Sequence, residues 1–283
     1  MEKIIKRIHH LKKKKPGYKD MLDFFLRIRK EQEKIKASLK TDPIQIGEDR
    51  KVLLLKEGFP LLQKEDFTLD IEASVSLFMS LFRIGKEANP VMAEQANKIE
   101  ELLNNNELNL KNLLGNGYNE KEIEKTIDRL ELNKKIFFFF IKESIGPSIK
   151  AGLDRITVSL DSKTWGENYC PVCGSPPCLS LLKGEVGKRY LCCSFCGFQW
   201  RTERLICPFC DNKDRDTLSY FYDKDEQAFH IDLCDKCHQY IKTIDLRAVE
   251  GYDLSLEDLA TIHLDLLASQ EGYKRPVLNL WTP

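Results

Sequence analysis

The sequence predicts an α+β protein in which a helical N-terminal domain is followed by two small β modules and a C-terminal amphipathic helix. Two observations carry this prediction. All ten cysteines lie between Cys170 and Cys237. At the same place the hydrophobic pattern changes from helical spacing to short aromatic and β-branched runs. The chain has 283 residues, of which 42% are apolar, and this is enough for two domains with a sizeable core.

The N-terminal domain is predicted to be an irregular bundle of roughly five to seven helices. Apolar residues recur at helical spacing in DMLDFFLRIRKEQEKIKASL, SVSLFMSLFRI and EQANKIEELL. In the first segment, one face carries Met21, Leu22, Phe25, Leu26, Ile28 and Ile35. Prolines such as Pro60 and Pro147 are expected to interrupt the helices. The most apolar run, IFFFFI at 136–141, is far shorter than the roughly twenty residues that cross a bilayer, and is predicted to be buried core.

The β modules are predicted from the runs KRYLCC, FQWRTERLI, LSYFYD, QAFHIDLC and QYIKTIDL, which alternate partially and are separated by turn residues. A terminal helix follows, since Ser255 and Asp258 have capping-box spacing. An apolar stripe on it is predicted at Leu259, Ile262, Leu266 and Leu267. The predicted domains are 1–164 for the helical domain, 165–205 and 206–250 for the two β modules, and 251–283 for the helix and tail.

Eight of the cysteines form four C-x-x-C pairs, in CPVCG, CSFCG, CPFCD and CDKCH. Both thiolates of such a pair reach one ion from a tight turn, and two turns supply the four-sulfur tetrahedron favoured by zinc and by rubredoxin-type iron. Nineteen and twenty-three residues follow the first and third pairs, enough for a hairpin, whereas only ten follow the second. The predicted ligand sets are Cys170, Cys173, Cys193 and Cys196 at one site, and Cys207, Cys210, Cys234 and Cys237 at the other.

A cross-brace that joins the first pair to the third and the second to the fourth is the alternative arrangement. It fits less well, because LSYFYDKDEQAFHIDLC has the pattern of one hairpin leading into the fourth pair. In either arrangement four sulfurs close the coordination of each ion and leave no position for water. The sequence therefore predicts structural or redox sites and no hydrolytic metal centre.

Two cysteines and five histidines lie outside these ligand sets. Cys178 is expected to be a buried thiol. Cys192 should face away from the ion held by Cys193, because adjacent strand residues point to opposite sides. His230 and His238, in the second module, are replacement ligands only if a cysteine fails. With no phosphate loop and no nucleophile motif, no catalytic or cofactor-binding residue is predicted.

The charge of the sequence gives little support for binding to a large anion such as nucleic acid. Lysine plus arginine equal aspartate plus glutamate at 44 each, although the first 40 residues hold fourteen basic and five acidic side chains. From Lys163 to Glu250, twelve basic residues face thirteen acidic ones, a poor footprint for nucleic acid. The N-terminus lacks the apolar stretch of a secretory signal. A cytoplasmic protein with reduced thiols is expected, and the paired cysteines then favour metal over disulfides.

Four segments together resemble one known family. They are YCPVCGSPP, GKRYLCCSFCGFQWRTERLICPFC, LCDKCHQYIKTIDLR and DLATIHLDLLASQEGYKR, and in them the chain is similar to the formate dehydrogenase accessory protein family, FdhE. The similarity extends more weakly into PGYKDMLDFFLRIRKEQ. It implies two rubredoxin-like or zinc-ribbon folds, at 165–205 and 206–250, behind an all-helical domain. Cys178 and Cys192 are not part of the family's pattern, so the resemblance implies no role for either.

The resemblance also implies a function. A protein of this family is expected to be a cytoplasmic accessory factor, not an enzyme, that binds the immature catalytic subunit of a molybdenum- or tungsten-dependent formate dehydrogenase. Two metal ions in four-cysteine sites, zinc or iron, are the expected cofactors. Docking through Phe195, Phe198, Trp200 and Phe209 is one hypothesis, and packing of these rings in the core of the ribbons is the other. The sequence leaves open whether the chain forms a homodimer.

Two other functions remain as alternatives. The first is electron or sulfur transfer to the client, through iron in one or both sites or through Cys192. The second is a zinc ribbon that binds nucleic acid, for which only the basic N-terminal segment provides support.

Overall fold

The computed structural model describes residues 1–115, 117–156, 165–277 and 279–281. The chain divides into two units, one made of Met1–Gln45 and Gln63–Val158, the other of Ile46–Leu62 and Ser159–Pro283. The predicted α+β class is confirmed, with helices in the first unit and the sheet in the second. The predicted boundary after residue 164 adjoins residues 157–164, which lie outside the described residues, and the domain limits stay a prediction.

The described residues contain ten α-helices, seven of them in the first unit. In chain order they are α1 (Glu2–Lys14), α2 (Lys19–Lys36), α3 (Glu48–Lys56), α4 (Ile71–Lys86), α5 (Pro90–Asn104), α6 (Leu110–Gly115), α7 (Glu120–Arg129), α8 (Lys134–Ile156), α9 (Leu254–Ala260) and α10 (Ile262–Gln270). Helix α3 belongs to the second unit, together with α9 and α10.

The core of the first unit is built on α8, which contains the apolar run IFFFFI. Residues 137–141 are all buried. Phe140 packs against Phe78 and Phe82 of α4, with ring centroids 5.7 and 6.4 Å apart. Gly85 of the same helix makes room for that ring, since a Cβ there would lie 2.6 Å from Cζ of Phe140. The run is buried core as predicted, and no described helix is long and apolar enough to cross a membrane.

Pro147 is expected from the sequence to interrupt a helix, but α8 continues through it. A proline inside a helix removes one hydrogen bond and leaves the carbonyl four residues earlier without its usual donor. Here that carbonyl belongs to Glu143, and Nε2 of Gln32 in α2 donates to it over 2.8 Å. The side-chain amide replaces the missing backbone N–H, so the helix can continue to its end at Ile156.

The second unit contains one six-stranded sheet. Its strands are β1 (Pro177–Lys183), β2 (Lys188–Cys193), β3 (Gln199–Arg201), β4 (Leu218–Tyr222), β5 (Phe229–Cys234) and β6 (Gln239–Asp245). The spatial order is β3-β2-β1-β6-β5-β4. Strands β1 and β6 are parallel, and the other neighbouring pairs are antiparallel. The two predicted β modules therefore share a continuous sheet through the β1–β6 pair.

Strand β1 is absent from the runs that predict strands in the sequence. Its residues PCLSLLK are almost all buried, so the alternation of apolar and polar residues that marks a half-exposed strand is missing. The predicted run FQWRTERLI gives only the short strand β3, and the chain after Arg201 turns away towards Cys207.

The terminal helix differs from its prediction in two respects. Its N-cap is Asp253, whose side chain accepts a hydrogen bond from the amide of Leu256, and not Ser255. The predicted helix is also interrupted at Thr261, which separates α9 from α10. The residues of α10 are therefore rotated relative to a continuous helix, and the predicted apolar stripe does not extend along it. Leu266 and Leu267 are 52% and 45% exposed. The side chains buried from α10 are Ile262, Leu264, Asp265 and Ala268.

Candidate metal centres

The first cluster, called cluster 1, consists of Cys170, Cys173, Cys193 and Cys196. Its sulfur atoms lie 3.4 to 3.7 Å apart in the contacts Cys170–Cys196, Cys173–Cys193 and Cys173–Cys196. Four sulfurs bound tetrahedrally at about 2.3 Å from zinc would be separated by about 3.8 Å. The arrangement therefore fits a tetrahedral ion with little movement, and all four side chains are buried.

Tight turns present the sulfurs of cluster 1. Gly174 and Gly197 follow the second cysteine of each turn with φ of 69° and 76°, in the left-handed region that glycine adopts without strain. The amides of Phe195 and Cys196 each donate to Sγ of Cys193 over 3.4 Å. Such N–H groups stabilise negative charge on the sulfur that would bind a metal ion.

The second cluster, called cluster 2, consists of Cys207, Cys210, Cys234 and Cys237. The contacts Cys207–Cys237 and Cys210–Cys234 are each 3.7 Å between sulfurs. Cys210 and Cys237 are only half-buried. The structure thus brings the cysteines together in the two predicted sets, with the first pair beside the second and the third beside the fourth.

The surroundings of cluster 2 favour a thiolate at Cys234. Burial raises the pKa of this group, but hydrogen bonds from the amides of Cys237 and Lys236 and from the side chain of Asn212 outweigh it and lower the pKa to about 7. The Asn212 amide lies 3.5 Å from the sulfur. Because the thiolate is the metal-binding form, these donors prepare the site for an ion.

The histidines lie outside both clusters. His230 lies 3.4 Å from Asp232 and contacts the ring of Tyr220, and His238 contacts the ring of Tyr273. His263 lies 3.5 Å from Glu226, while His9 and His10 are exposed on α1. None of them belongs to a set of described side chains that could hold a metal.

The aromatic residues proposed for docking separate into two groups. Trp200 is fully buried, and its indole N–H donates to the carbonyl of Glu167 over 3.2 Å, so this ring belongs to the core. Phe195, Phe198 and Phe209 are half-buried. Two more exposed rings, absent from the sequence prediction, are Tyr220 and Tyr222 of β4. The alternation of LSYFYD, which puts residues 220 and 222 on one face, is the signal that could have found them.

Arg189 of β2 connects the two halves of the sheet. Its buried guanidinium donates to Oγ of Ser180, to the carbonyl of Ile206 and to Oδ2 of Asp232, over 2.9, 2.8 and 3.0 Å. Burial raises the pKa of Asp232, but the hydrogen bond from His230 and the charge of Arg189 hold it below its usual value. Since residue 206 directly precedes cluster 2, this arginine positions the chain between the clusters. No sequence motif indicates its role.

A C-terminal segment, residues 273–275, closes over the turn that carries Cys237. The amide of Lys274 donates to the carbonyl of His238 over 2.9 Å, and the amide of Tyr240 donates to the carbonyl of Lys274 over 3.0 Å. The hydroxyl of Tyr273 donates to Oδ1 of Asp235 over 2.5 Å. Cluster 2 is therefore held in part by residues far from it in sequence.

Arg275 anchors this segment in a buried charge network. It contacts Asp258 and Asp265 over 3.0 and 3.1 Å, and Lys242 contacts the same two carboxylates over 2.8 and 2.6 Å. Burial raises the pKa of Asp258, but the charges of Arg275 and Lys242 prevail and lower it to about 2. The two carboxylates and two cations balance one another, as buried charges require.

Two four-cysteine clusters at the turns of one sheet define a class of protein in which a pair of ribbon-type metal sites follows a helical unit in the chain. Family models described as "FdhE, central domain" and "FdhE, C-terminal domain" match residues 169–204 and 206–281. A protein named as an FdhE homologue from Aquifex aeolicus is 30% identical over 95% of this chain and 90% of its own. The chain therefore belongs to the FdhE family.

Other similar proteins agree with this assignment. An FdhE homologue from Stutzerimonas stutzeri is 37% identical over 40% of this chain and 38% of its own, and Escherichia coli FdhE is 36% identical over 39% and 36%. A crystal structure of the FdhE protein from Pseudomonas aeruginosa superposes with a TM-score of 0.64 at 18% identity, covering 99% of this chain and 94% of the other. The fold is shared along nearly the whole chain.

Proposed function

We propose that this protein is a cytoplasmic accessory factor for formate dehydrogenase that binds the immature catalytic subunit and has no turnover of its own. The observation that carries the proposal is the pair of complete four-cysteine clusters in a chain that belongs to the FdhE family along 95% of its length. The choice of a formate dehydrogenase as the client rests on the resemblance of the sequence motifs to the FdhE family.

Each cluster is proposed to hold one metal ion, with its four cysteines as ligands. Four sulfurs complete a tetrahedral shell, so the ion would supply rigidity, or one-electron chemistry if it is iron, and would not activate water. Zinc and iron both accept this ligand set. Metal analysis of the anaerobically purified chain distinguishes them, with two equivalents expected in total.

The proposed docking surface for the client is the tyrosine pair of β4. Tyr220 and Tyr222 are 65% and 46% exposed, and their rings are stacked with centroids 6.2 Å apart. Strand β4 begins with Leu218, which pairs with Cys234 of cluster 2. Tyrosine supplies large contact area at a low entropic cost and is enriched among the residues that dominate binding energy. Tyr220 and Tyr222 replace Trp200 in the docking hypothesis, because Trp200 is buried.

Capture of the metal-free, immature catalytic subunit from a formate dehydrogenase expression strain tests the proposal. A Tyr220→Ala/Tyr222→Ala double variant should reduce capture at least about tenfold, since a dominant interface residue contributes about 2 kcal/mol or more. Tyr252→Ala is the matched control, because Tyr252 is 44% exposed in the same unit. Normal formate dehydrogenase activity in a strain that lacks this chain would refute the proposed function.

Electron transfer to the client is the second candidate, and the exposure of cluster 2 favours it. Cys210 and Cys237 are half-buried, so an iron ion there could exchange electrons through a short path to a partner. A coloured protein whose absorbance bleaches reversibly with dithionite would support this function. A colourless protein with two zinc ions would exclude electron transfer by the clusters.

A further inference from the structure

The two cysteines outside the clusters lie next to each other on strands β1 and β2. The register of this antiparallel pair aligns Pro177 with Cys193 and Leu179 with Cys192, which leaves Cys178 as the additional residue of a bulge. Bulges redirect a side chain and are frequent at functional positions. The bulge brings Cys178 beside Cys192, although fourteen positions separate them in sequence.

Both side chains pack into the same apolar layer. Cys192 is 5% exposed and belongs to a core cluster with Leu179, Leu181 and Ile244, and Cys178 packs against that cluster. Cys192 therefore faces the side of the sheet opposite to its neighbour Cys193, as its position in the strand predicts. Neither thiol is placed to share the ion proposed for cluster 1.

The side chain of Cys178 contacts Cys192 directly. Sγ of Cys178 donates to the carbonyl oxygen of Cys192 over 3.5 Å. Two cysteines that contact each other across neighbouring strands are placed for a disulfide, because the bond requires Cβ atoms only about 3.5 to 4.5 Å apart.

We propose that Cys178 and Cys192 form a reversible dithiol–disulfide pair that is distinct from the two four-cysteine clusters. This inference goes beyond the proposed accessory function and does not depend on the metal or the client. In a reducing compartment such a pair is expected to be mostly reduced and to oxidise transiently, as disulfides of cytosolic proteins do.

The oxidant is a low-molecular-weight disulfide. Cys178 reacts first because it is half-buried whereas Cys192 is almost completely covered. Its thiolate attacks one sulfur of the oxidant, the S–S bond of the oxidant breaks, and one small thiol leaves. The thiolate of Cys192 then attacks Sγ of Cys178 and releases the second small thiol. The protein loses two electrons, the oxidant gains them, and the two thiol protons end on the released small thiols.

The pair is placed to influence its surroundings. Arg275, which anchors the C-terminal segment, donates from Nη2 to the carbonyl of Cys178 over 3.0 Å, and Cys192 directly precedes the cluster 1 residue Cys193. A disulfide between Cys178 and Cys192 would therefore fix the bulge of β1, which lies between the contact with Arg275 and cluster 1.

The test is equilibration of the full, metal-loaded chain with glutathione disulfide, followed by alkylation under denaturing, metal-chelating conditions. Two of the ten cysteines should escape alkylation, while the metal content before denaturation stays at its starting value. Trypsin cleaves after Lys183 and Arg189, so Cys178 and Cys192 fall on separate peptides. A linked pair of peptides in which only these two cysteines lack the alkyl group is the expected product, and dithiothreitol should release it.

Single variants sharpen the result. Cys178→Ser should resist oxidation at Cys192, because the accessible thiol is gone, whereas Cys192→Ser should retain one glutathione at Cys178. Full alkylation of both cysteines in the wild-type chain after oxidation, or a linkage of either one to a cluster cysteine, would overturn the proposal. Because the wild-type measurement stands alone, a variant that fails to fold does not prevent the test.

Discussion

Clusters 1 and 2 use the same C-x-x-C turn, yet they differ in what surrounds it. In cluster 1 all four cysteines are buried, and both turns have glycine in the left-handed position. The amides of Leu61 and Leu62 also donate to the carbonyls of Pro171 and Val172 over 3.0 and 2.9 Å, which fixes the first turn. In cluster 2 two cysteines are half-buried. The left-handed positions there are Asp211 and His238.

With an ion in each cluster, as proposed, this difference predicts distinct roles for two similar sites. Cluster 1 has its surroundings fixed by the core of the second unit, as expected of a folding scaffold. Cluster 2 is held in part by residues 273–275 and has two half-buried cysteines, as expected of a site that exchanges its ion or contacts a partner. Variants at each cluster can show whether the two sites differ in this way.

The largest effect is expected from removing one sulfur of cluster 1. Cys193→Ser should lower the free energy of unfolding of the full chain by on the order of 5 kcal/mol, since metal binding to such a site contributes directly to folding. Cys237→Ser, at cluster 2, should lose one metal equivalent at a clearly smaller cost. Denaturant unfolding with metal analysis of both variants provides the measurement. Equal losses of stability would show that the clusters are equivalent.

The next effect concerns the C-terminal segment over cluster 2. Arg275→Ala leaves Lys242 as the one cation that Asp258 and Asp265 contact among the described residues, and breaking a buried charge network costs about 3 to 5 kcal/mol. Metal should also leave cluster 2 faster, and cluster 1 should be unaffected. A chromogenic chelator would show one accelerated phase of metal release.

Arg247→Ala is the matched control for this variant. Arg247 is paired with Asp245 but is exposed, so both the stability and the two release phases should stay as in the wild type. Acceleration of both phases by Arg275→Ala would mean that the segment supports the whole unit and not cluster 2 in particular.

Acid provides a smaller, separable effect on the same network. The pKa of Asp258 is lowered to about 2 in the folded chain from an ordinary value of 3.8. A depressed folded pKa stabilises the protein fully above the unfolded value, and this contribution of about 2 kcal/mol is lost as the pH falls from about 4 towards 2. The difference in unfolding free energy between the wild type and Asp258→Asn should therefore shrink over that range. Taking the difference removes the effect of metal loss in acid, which both proteins share.

The cysteine sets could be predicted from the sequence because each depends on local facts, a two-residue spacing and a linker that suits a hairpin. The orientation of Cys192 was predictable for the same reason. The shared sheet was not, since Leu179 pairs with Lys242 across more than sixty positions and β1 lacks alternation. The apolar stripe of the last helix failed because one residue, Thr261, interrupts the helix and changes the phase after it.

The buried groups that join distant segments were also invisible in the sequence. Arg189 and Arg275 are of a residue type that is mostly exposed in proteins, and nothing local marks them as partners of carboxylates far along the chain. Trp200 shows the reverse case: a ring beside a cysteine turn fits a docking surface and a core equally well, and only the fold decides that it is buried.

The smallest expected effect tests the turns themselves. Asp211, in cluster 2, has φ of 58°, and a side chain in this region costs roughly 1 kcal/mol relative to glycine. Asp211→Gly should therefore stabilise metal-loaded protein by about that amount. Gly197→Ala, at the equivalent place in cluster 1, should destabilise it by a similar amount, and the reason is the backbone alone, because an added Cβ meets no atom within 4 Å. Denaturant unfolding measures both changes. If the free energy of unfolding rises for Asp211→Gly and falls for Gly197→Ala, the two turns share one backbone geometry and differ only in the residue at the left-handed position. A stability loss on Asp211→Gly would instead mean that the aspartate side chain, which contacts Asn168, contributes more to cluster 2 than its backbone strain costs.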